Sequence, residues 1–204
     1  MEKVYKALAE ELVEAGYILY GLGMVPATSG NFSARIGADR FAITVSGRHK
    51  GRMTTDDIME IDGVGVSRDG RRPSAETALH LQIYRRFPDV HAILHPHSLY
   101  ATLLSRQAAG EIVLSDYELL KAFPGIDTHE SRLHVPVFDN DQDIPRLAQV
   151  VEEYMDAHPP VHCYLIRGHG FYTWADSVQA ALRHAEALDF LFRCELMMRG
   201  VKEP

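Results

Sequence analysis

Val90-His91-Ala92-Ile93-Leu94-His95-Pro96-His97 is the stretch on which the fold turns. Val90 to Leu94 is short and mostly apolar, which predicts a buried strand that ends where Pro96 removes a backbone donor. Successive side chains of an extended segment alternate faces, so His95 and His97 share one. Two imidazoles can then converge where a strand leaves its sheet. On its own the pair fits two surface histidines in a turn equally well, because a metal needs a third ligand.

A second stretch has the same shape. Val161 to Ile166 is largely apolar and runs into Gly168-His169-Gly170, with Phe171 to Trp174 as the expected hairpin partner. The flanking glycines let the chain turn tightly and leave room beside the ring, although a hairpin with an incidental histidine reads the same way. Brought together, the two strand ends would supply three imidazoles and leave a coordination position open. That is the pattern of a catalytic rather than a structural zinc site, and other divalent metals accept the same donors.

Outward from these strands, the remaining pattern alternates between helix and strand without strict βαβ order. Val4, Leu8, Leu12, Ala15, Leu19 and Leu22 recur at helical spacing, and Gly21 and Gly23 follow as a stop. Strands are expected near Phe32–Ile36, Phe41–Val45, Met59–Ile61, Glu111–Leu114 and Val135–Phe138. Helices are expected from a Ser74 cap to Phe87, from Ser98 to Ser105, over Ile144–Met155 and over Ser177–Met198. Asp116 is the expected cap of a short helix that carries Glu118. Short turns between strands predict one mixed or mostly antiparallel sheet covered by helices.

Composition narrows the class. The 204 residues fit one domain, and 46% apolar with 24% charged residues is ordinary for a globular protein. A net charge of −7 argues against a nucleic-acid surface but leaves room for a local phosphate pocket. Cys163 and Cys194, far apart, form neither a disulfide framework nor a thiolate metal motif. Met1 to Leu12 mixes Glu and Lys with apolar residues, which predicts no signal peptide, no membrane span and a cytoplasmic location.

Three polar turns offer anion donors: Thr28-Ser29-Gly30-Asn31, Ser46-Gly47 and Ser74, with charge from Lys50 or Arg48. Turns of this composition are also common without any ligand. Two carboxylates stand out. Glu76 lies near the start of the helix after Ser74, where the helix dipole alone would favour it. Glu118 lies in an apolar segment; buried beside a metal it could shuttle protons, and otherwise it is an exposed helical residue.

In order, Thr28-x-Gly30-Asn31, Ser46-Gly47, Pro73-Ser74-Ala75-Glu76, His95-x-His97 and Gly168-His169-Gly170 resemble the class II (zinc-dependent) aldolases, a family that also contains sugar-phosphate epimerases. The resemblance runs from about residue 5 to residue 198. It implies an α/β fold, a three-layer α/β/α sandwich around a central mixed, mostly antiparallel sheet, as one domain over 1–204. It further implies a homotetramer with active sites between subunits and a sugar-phosphate substrate. One Zn2+ per subunit would sit on His95, His97 and His169. Thr28, Gly30, Asn31, Ser46, Gly47, Ser74 and Ala75 fall in the family's phosphate-binding region, with Ala75 able to offer only its backbone N–H. Glu76 takes the position of the aldolase acid/base.

Within the family, Ser46-Gly47-Arg48-His49-Lys50-Gly51, Tyr117-Glu118-Leu119-Leu120-Lys121-Ala122 and Arg167 to Trp174 resemble a dehydratase branch that acts on a methylthio ketose phosphate. That branch makes Glu118 the acid/base and leaves Glu76 as zinc ligand, proton-transfer aid or pocket wall. The rival expectations are an aldolase or epimerase for another ketose phosphate, and a scaffold without catalysis.

Overall fold

The computed structural model describes residues 2–200. Eight strands build one sheet: β1 (Asn31–Gly37), β2 (Arg40–Thr44), β3 (Ile58–Asp62), β4 (Ala92–His95), β5 (Glu111–Ser115), β6 (Arg132–Phe138), β7 (Cys163–Ile166) and β8 (Gly170–Ala175). Their order across the sheet is β3-β2-β1-β4-β8-β7-β6-β5. Every neighbouring pair is antiparallel except β6 with β7. The sheet is therefore mixed and mostly antiparallel, as the short turns between strands predict.

The helices are α1 (Glu2–Gly21), α2 (Thr77–Arg86), α3 (Leu99–Gln107), α4 (Ile144–Ala157) and α5 (Val178–Gly200). They cover both faces because the strands are apolar on both. Phe32, Leu94, Leu165 and Phe171 point into one core with Leu12 and Leu19 of α1, Leu104 of α3 and Leu188 of α5. Ile93, Tyr164, Ile166 and Tyr172, one residue along the same strands, point into a second core with Leu79 and Ile83 of α2 and Leu147 and Val151 of α4. The period-two alternation thus feeds two cores, and the three layers follow from it.

Two local expectations are corrected. Ser74 does not cap α2, which begins at Thr77 with Glu76 in the cap position. The residues before it are held as a turn by the Val45–Pro73 bridge and by Thr77 N–H donating to the Ser74 carbonyl at 3.1 Å. Asp116 caps nothing; its backbone is left-handed (φ 64), and the short 3-10 turn Glu118–Ala122 starts after Tyr117 without a side-chain cap. Ser98 does cap α3, its hydroxyl accepting from Ala101 N–H at 3.2 Å.

The pairing decides where the chemistry-bearing residues meet. Asn31 opens β1 opposite His95, which closes β4. In the neighbouring β7–β8 hairpin, Ile166 closes one strand opposite Gly170, which opens the other. Antiparallel neighbours run in opposite senses, so these starts and ends lie at one edge of the sheet.

Candidate metal centre

Three imidazoles converge at that edge. The Nε2 atoms of His95 and His97 are 3.0 Å apart, those of His97 and His169 3.1 Å, and those of His95 and His169 3.4 Å. Each ring is placed by backbone. His95 is fully buried, stacks on Tyr172 with centroids 4.0 Å apart, and gives its Nδ1 proton to the Phe171 carbonyl at 2.8 Å. His97 is fixed by its backbone N–H donating to the Met24 carbonyl at 2.8 Å. The His169 backbone is tied on both sides: its N–H donates to Ile166 and its carbonyl accepts from the Thr102 hydroxyl.

With its proton on Nδ1, His95 presents only a lone pair at Nε2, so three close nitrogens cannot all be satisfied by one another. A cation at their centre removes the conflict. Metal–nitrogen bonds of about 2.0–2.1 Å in a tetrahedral site spread the nitrogens to about 3.3 Å, close to the spacing here. Burial also keeps the His95 and His97 imidazoles neutral. It drives His95 well below its ordinary pKa, and it takes His97 down to about 2, helped by the neighbouring His95 and His169. Neutral rings are the ligand form.

Glu76 completes the group. Its carboxylate lies 3.5 Å from His95 Nε2 and 3.4 Å from His169 Nε2. One ligand atom from each of Glu76, His95, His97 and His169 falls within 4.8 Å of the others, a set that can hold a metal ion. Glu76 Oε2 accepts from Asn31 Nδ2 at 2.7 Å, while the buried Oε1 faces His169 and accepts no hydrogen bond from the described residues. Burial raises the Glu76 pKa, opposed by His169 and by the Asn31 hydrogen bond. A carboxylate oxygen that accepts no hydrogen bond, beside three converging ring nitrogens, fits a divalent cation, and a nitrogen-rich set with one carboxylate suits zinc and similar metals.

Beside this group opens a cavity of about 230 Å3 lined by Thr28, Gly30, Asn31, Ser46, Gly47, Ser74, Glu76 and His97, among others. Six of the residues expected to surround a phosphate therefore share one wall. Ser29 lines it too, and its hydroxyl is buried without a partner among the described residues. Gly30 is required for the approach: its backbone is left-handed (φ 77), and a Cβ there would lie 2.9 Å from the His95 carbonyl oxygen.

Other expected residues are placed elsewhere. Ala75 is exposed and not on the cavity wall. Lys50 is buried beneath the wall, its ammonium donating to the carbonyls of Thr28 at 3.2 Å and Arg48 at 2.7 Å; it braces the Thr28 turn and does not face the cavity. Glu118 is not buried. Its side chain is 74% exposed on the 3-10 turn and pairs with Lys121 at 2.6 Å, which lowers its pKa. Within one chain it belongs neither to the cluster nor to the cavity. A larger cavity, about 600 Å3, lies among Glu111, His134, Tyr154 and His158 and contains none of the expected site residues.

His80 was missed by sequence reasoning. It is fully buried and contacts Asn31 and Ser33. The available signal was its spacing, four residues after Glu76 and four before Tyr84, which places all three on one helix face.

Comparisons with known proteins give the family and the fold. The model of the class II aldolase and adducin N-terminal domain matches residues 10–196. A methylthioribulose-1-phosphate dehydratase from Methylococcus capsulatus is 63% identical over 198 residues, covering 97% of each chain. Another from Pseudomonas savastanoi pv. phaseolicola is 55% identical, covering 95% of this chain and 96% of its own. Among solved structures, L-fuculose-1-phosphate aldolase from Thermus thermophilus superposes with a TM-score of 0.76 at 27% identity, with 96% of each chain covered. YgbL from Escherichia coli shares the fold with a TM-score of 0.82 at 21% identity, covering 96% of this chain and 91% of its own. The chain belongs to the class II aldolase and adducin family, where relatives at 50–63% identity are methylthioribulose-1-phosphate dehydratases.

Proposed function

We propose that this chain is a metal-dependent lyase of methionine salvage, converting 5-methylthioribulose 1-phosphate to 2,3-diketo-5-methylthiopentyl 1-phosphate with loss of water. One observation carries the reading: a three-histidine, one-glutamate cluster opens onto a cavity walled by hydroxyls, an amide and glycines, in a chain 63% identical to a dehydratase of that name. His95, His97 and His169 would hold one Zn2+ per subunit, with Glu76 as a fourth ligand or proton-transfer aid. When bound, the metal would supply Lewis-acid polarisation of the substrate's carbonyl, which would acidify the proton on the adjacent third carbon.

The protein does the rest. Thr28, Ser29, Asn31, Ser46 and Ser74 take the phosphate and fix the sugar's orientation, so binding energy remote from the reacting bonds is used to align them. A carboxylate removes the proton from the third carbon, and the C–H electron pair forms a double bond to the second carbon as the carbonyl π pair moves onto its oxygen. That pair then returns to the carbonyl, the double bond shifts to join the third and fourth carbons, and the hydroxyl on the fourth leaves as water with the proton the carboxylate had taken. Tautomerisation then yields the diketone. We assign the base to Glu118. Because it faces solvent in one chain, we place it in the site of an adjacent copy within a homotetramer; each site would then use the partner subunit's Glu118. We also read residues 1–204 as one domain and place the enzyme in the cytoplasm, consistent with the described helices, none of which is long and apolar enough to cross a membrane.

The rival is aldol cleavage, favoured by the likeness to L-fuculose-1-phosphate aldolase. Incubation with 5-methylthioribulose 1-phosphate and identification of the product by NMR separates the two. A diketone phosphate supports dehydration; dihydroxyacetone phosphate with an aldehyde means cleavage and refutes the proposal.

A further inference from the structure

A chain of polar groups runs from the sheet interior to Glu76. Tyr84 OH lies 2.9 Å from Ser33 Oγ, and Ser33 Oγ lies 2.7 Å from His80 Nδ1. His80 Nε2 contacts Asn31 Oδ1, and Asn31 Nδ2 donates to Glu76 Oε2 at 2.7 Å. Two periodicities build it: Glu76, His80 and Tyr84 are spaced by four on the α2 side, and Asn31 and Ser33 by two on β1. Ser33 and His80 are fully buried and Asn31 and Tyr84 nearly so, so none can exchange its partner for bulk water.

The direction of every donor follows from the last link. A carboxylate oxygen only accepts, so Asn31 must turn its amide N–H toward Glu76 and its carbonyl toward His80. His80 Nε2 must then carry the proton, which leaves Nδ1 as an acceptor from the Ser33 hydroxyl. Ser33 in turn accepts from Tyr84. Burial supports the neutral ring this requires, taking the His80 pKa down to about 3. If Asn31 flipped, its carbonyl oxygen would face the Glu76 carboxylate and repel it.

We infer that His80 is a positioning residue: by donating to Asn31 it locks the amide orientation that holds the Glu76 carboxylate against the His95–His97–His169 cluster. This rests on the reading of those four side chains as a metal centre. No contact of His80 with substrate is involved. Removing the donor at position 80 leaves the buried Asn31 carbonyl unpaired and the amide anchored on one side only, so its hold on Glu76 loosens, which weakens the metal and changes the ligand field it experiences.

The test uses the full chain and the metal alone. Zinc affinity is measured by competition with a chromophoric chelator, and coordination by the visible spectrum of the Co2+-loaded protein. His80→Met, of similar volume but without a donor, should bind zinc about tenfold more weakly, the usual scale for losing a partner of a metal ligand. Its cobalt spectrum should shift. His80→Gln keeps an N–H near the Nε2 position and should stay within about threefold of the parent protein. Equal affinities and spectra for His80→Met and the parent protein would overturn the inference, as would equal losses in His80→Met and His80→Gln. A merely structural histidine would lower the melting temperature of both variants and leave the cobalt spectrum alone. Should His80→Met fail to fold, Ser33→Ala, which releases the ring's tautomer, should weaken zinc by about threefold; an unchanged value there overturns the inference too. A parent protein that binds neither ion instead removes the metal centre itself, a distinct failure.

Discussion

Replacing Gly170 by Ala adds one methyl group where two strand ends meet. The new Cβ would lie 2.3 Å from the Pro96 carbonyl oxygen, 3.1 Å from His97 Cδ2 and 3.2 Å from His97 Cα. Side-chain carbons essentially never approach closer than 3.0 Å, so Pro96–His97 or β8 must retreat by roughly 0.7 Å or more. The Pro96 carbonyl also accepts from Phe171 N–H at 3.1 Å, a bond that the retreat lengthens. Overpacking costs about 1–3 kcal/mol and a weakened hydrogen bond about 1 kcal/mol more. The metal site suffers further. His97 and His169 Nε2 are 3.1 Å apart, and metal–ligand distances tolerate only about 0.2 Å of change. Gly170→Ala should therefore bind zinc at least about tenfold more weakly, and excess zinc should raise its melting temperature less than it raises that of the parent protein. Chelator competition and thermal scans with and without zinc measure both. A variant less stable yet unchanged in zinc affinity would show that this approach of backbone to backbone does not set the ligand geometry.

Three further outcomes are expected. His97→Ala should lose metal and activity together, by metal analysis and turnover on the same sample. Glu118→Gln should keep its metal while turnover falls by about a hundredfold; co-assembly with His97→Ala should restore part of the activity if Glu118 works across an interface, and no recovery would confine it to its own chain. Lys50 gives a pH signature, because burial lowers its pKa from 10.5 to about 8. Between those values the unfolded chain binds more protons than the folded one, so Lys50 contributes rising stability as pH increases through that window, and its penalty is full below it. The stability of the parent protein relative to Lys50→Met, from denaturant titrations, should accordingly grow from pH 8 to pH 10.5; a flat difference would mean that the ammonium is not desolvated.

Much of this was legible because the signals were local. The apolar runs at Val90–Leu94 and Val161–Ile166 announced strands, and each reached a histidine within three residues. What was not local was lost. The strand order places β4 between β1 and β8, which no period in the sequence reveals. Ser74 looked like a helix cap because serine favours that position, but the Val45–Pro73 bridge keeps it in a turn beside the cavity. Lys50 suggested phosphate charge, yet the nearer acceptors were backbone carbonyls beneath the turn. Glu118 read as a possible buried shuttle from its apolar neighbours Leu119 and Leu120, of which Leu120 is buried while Leu119 is 39% exposed. His80 was hidden among eleven histidines because its meaning depends on Asn31 and Ser33 from a distant strand.

Crystals of the zinc-loaded protein, with anomalous diffraction collected across the zinc edge, test the central claim most directly. One peak per chain is predicted, about 2.0–2.1 Å from Nε2 of His95, His97 and His169, with a Glu76 oxygen or a solvent molecule in the remaining position. A peak elsewhere, or a His169 ring turned away from an ion bound at His95 and His97, would contradict the account.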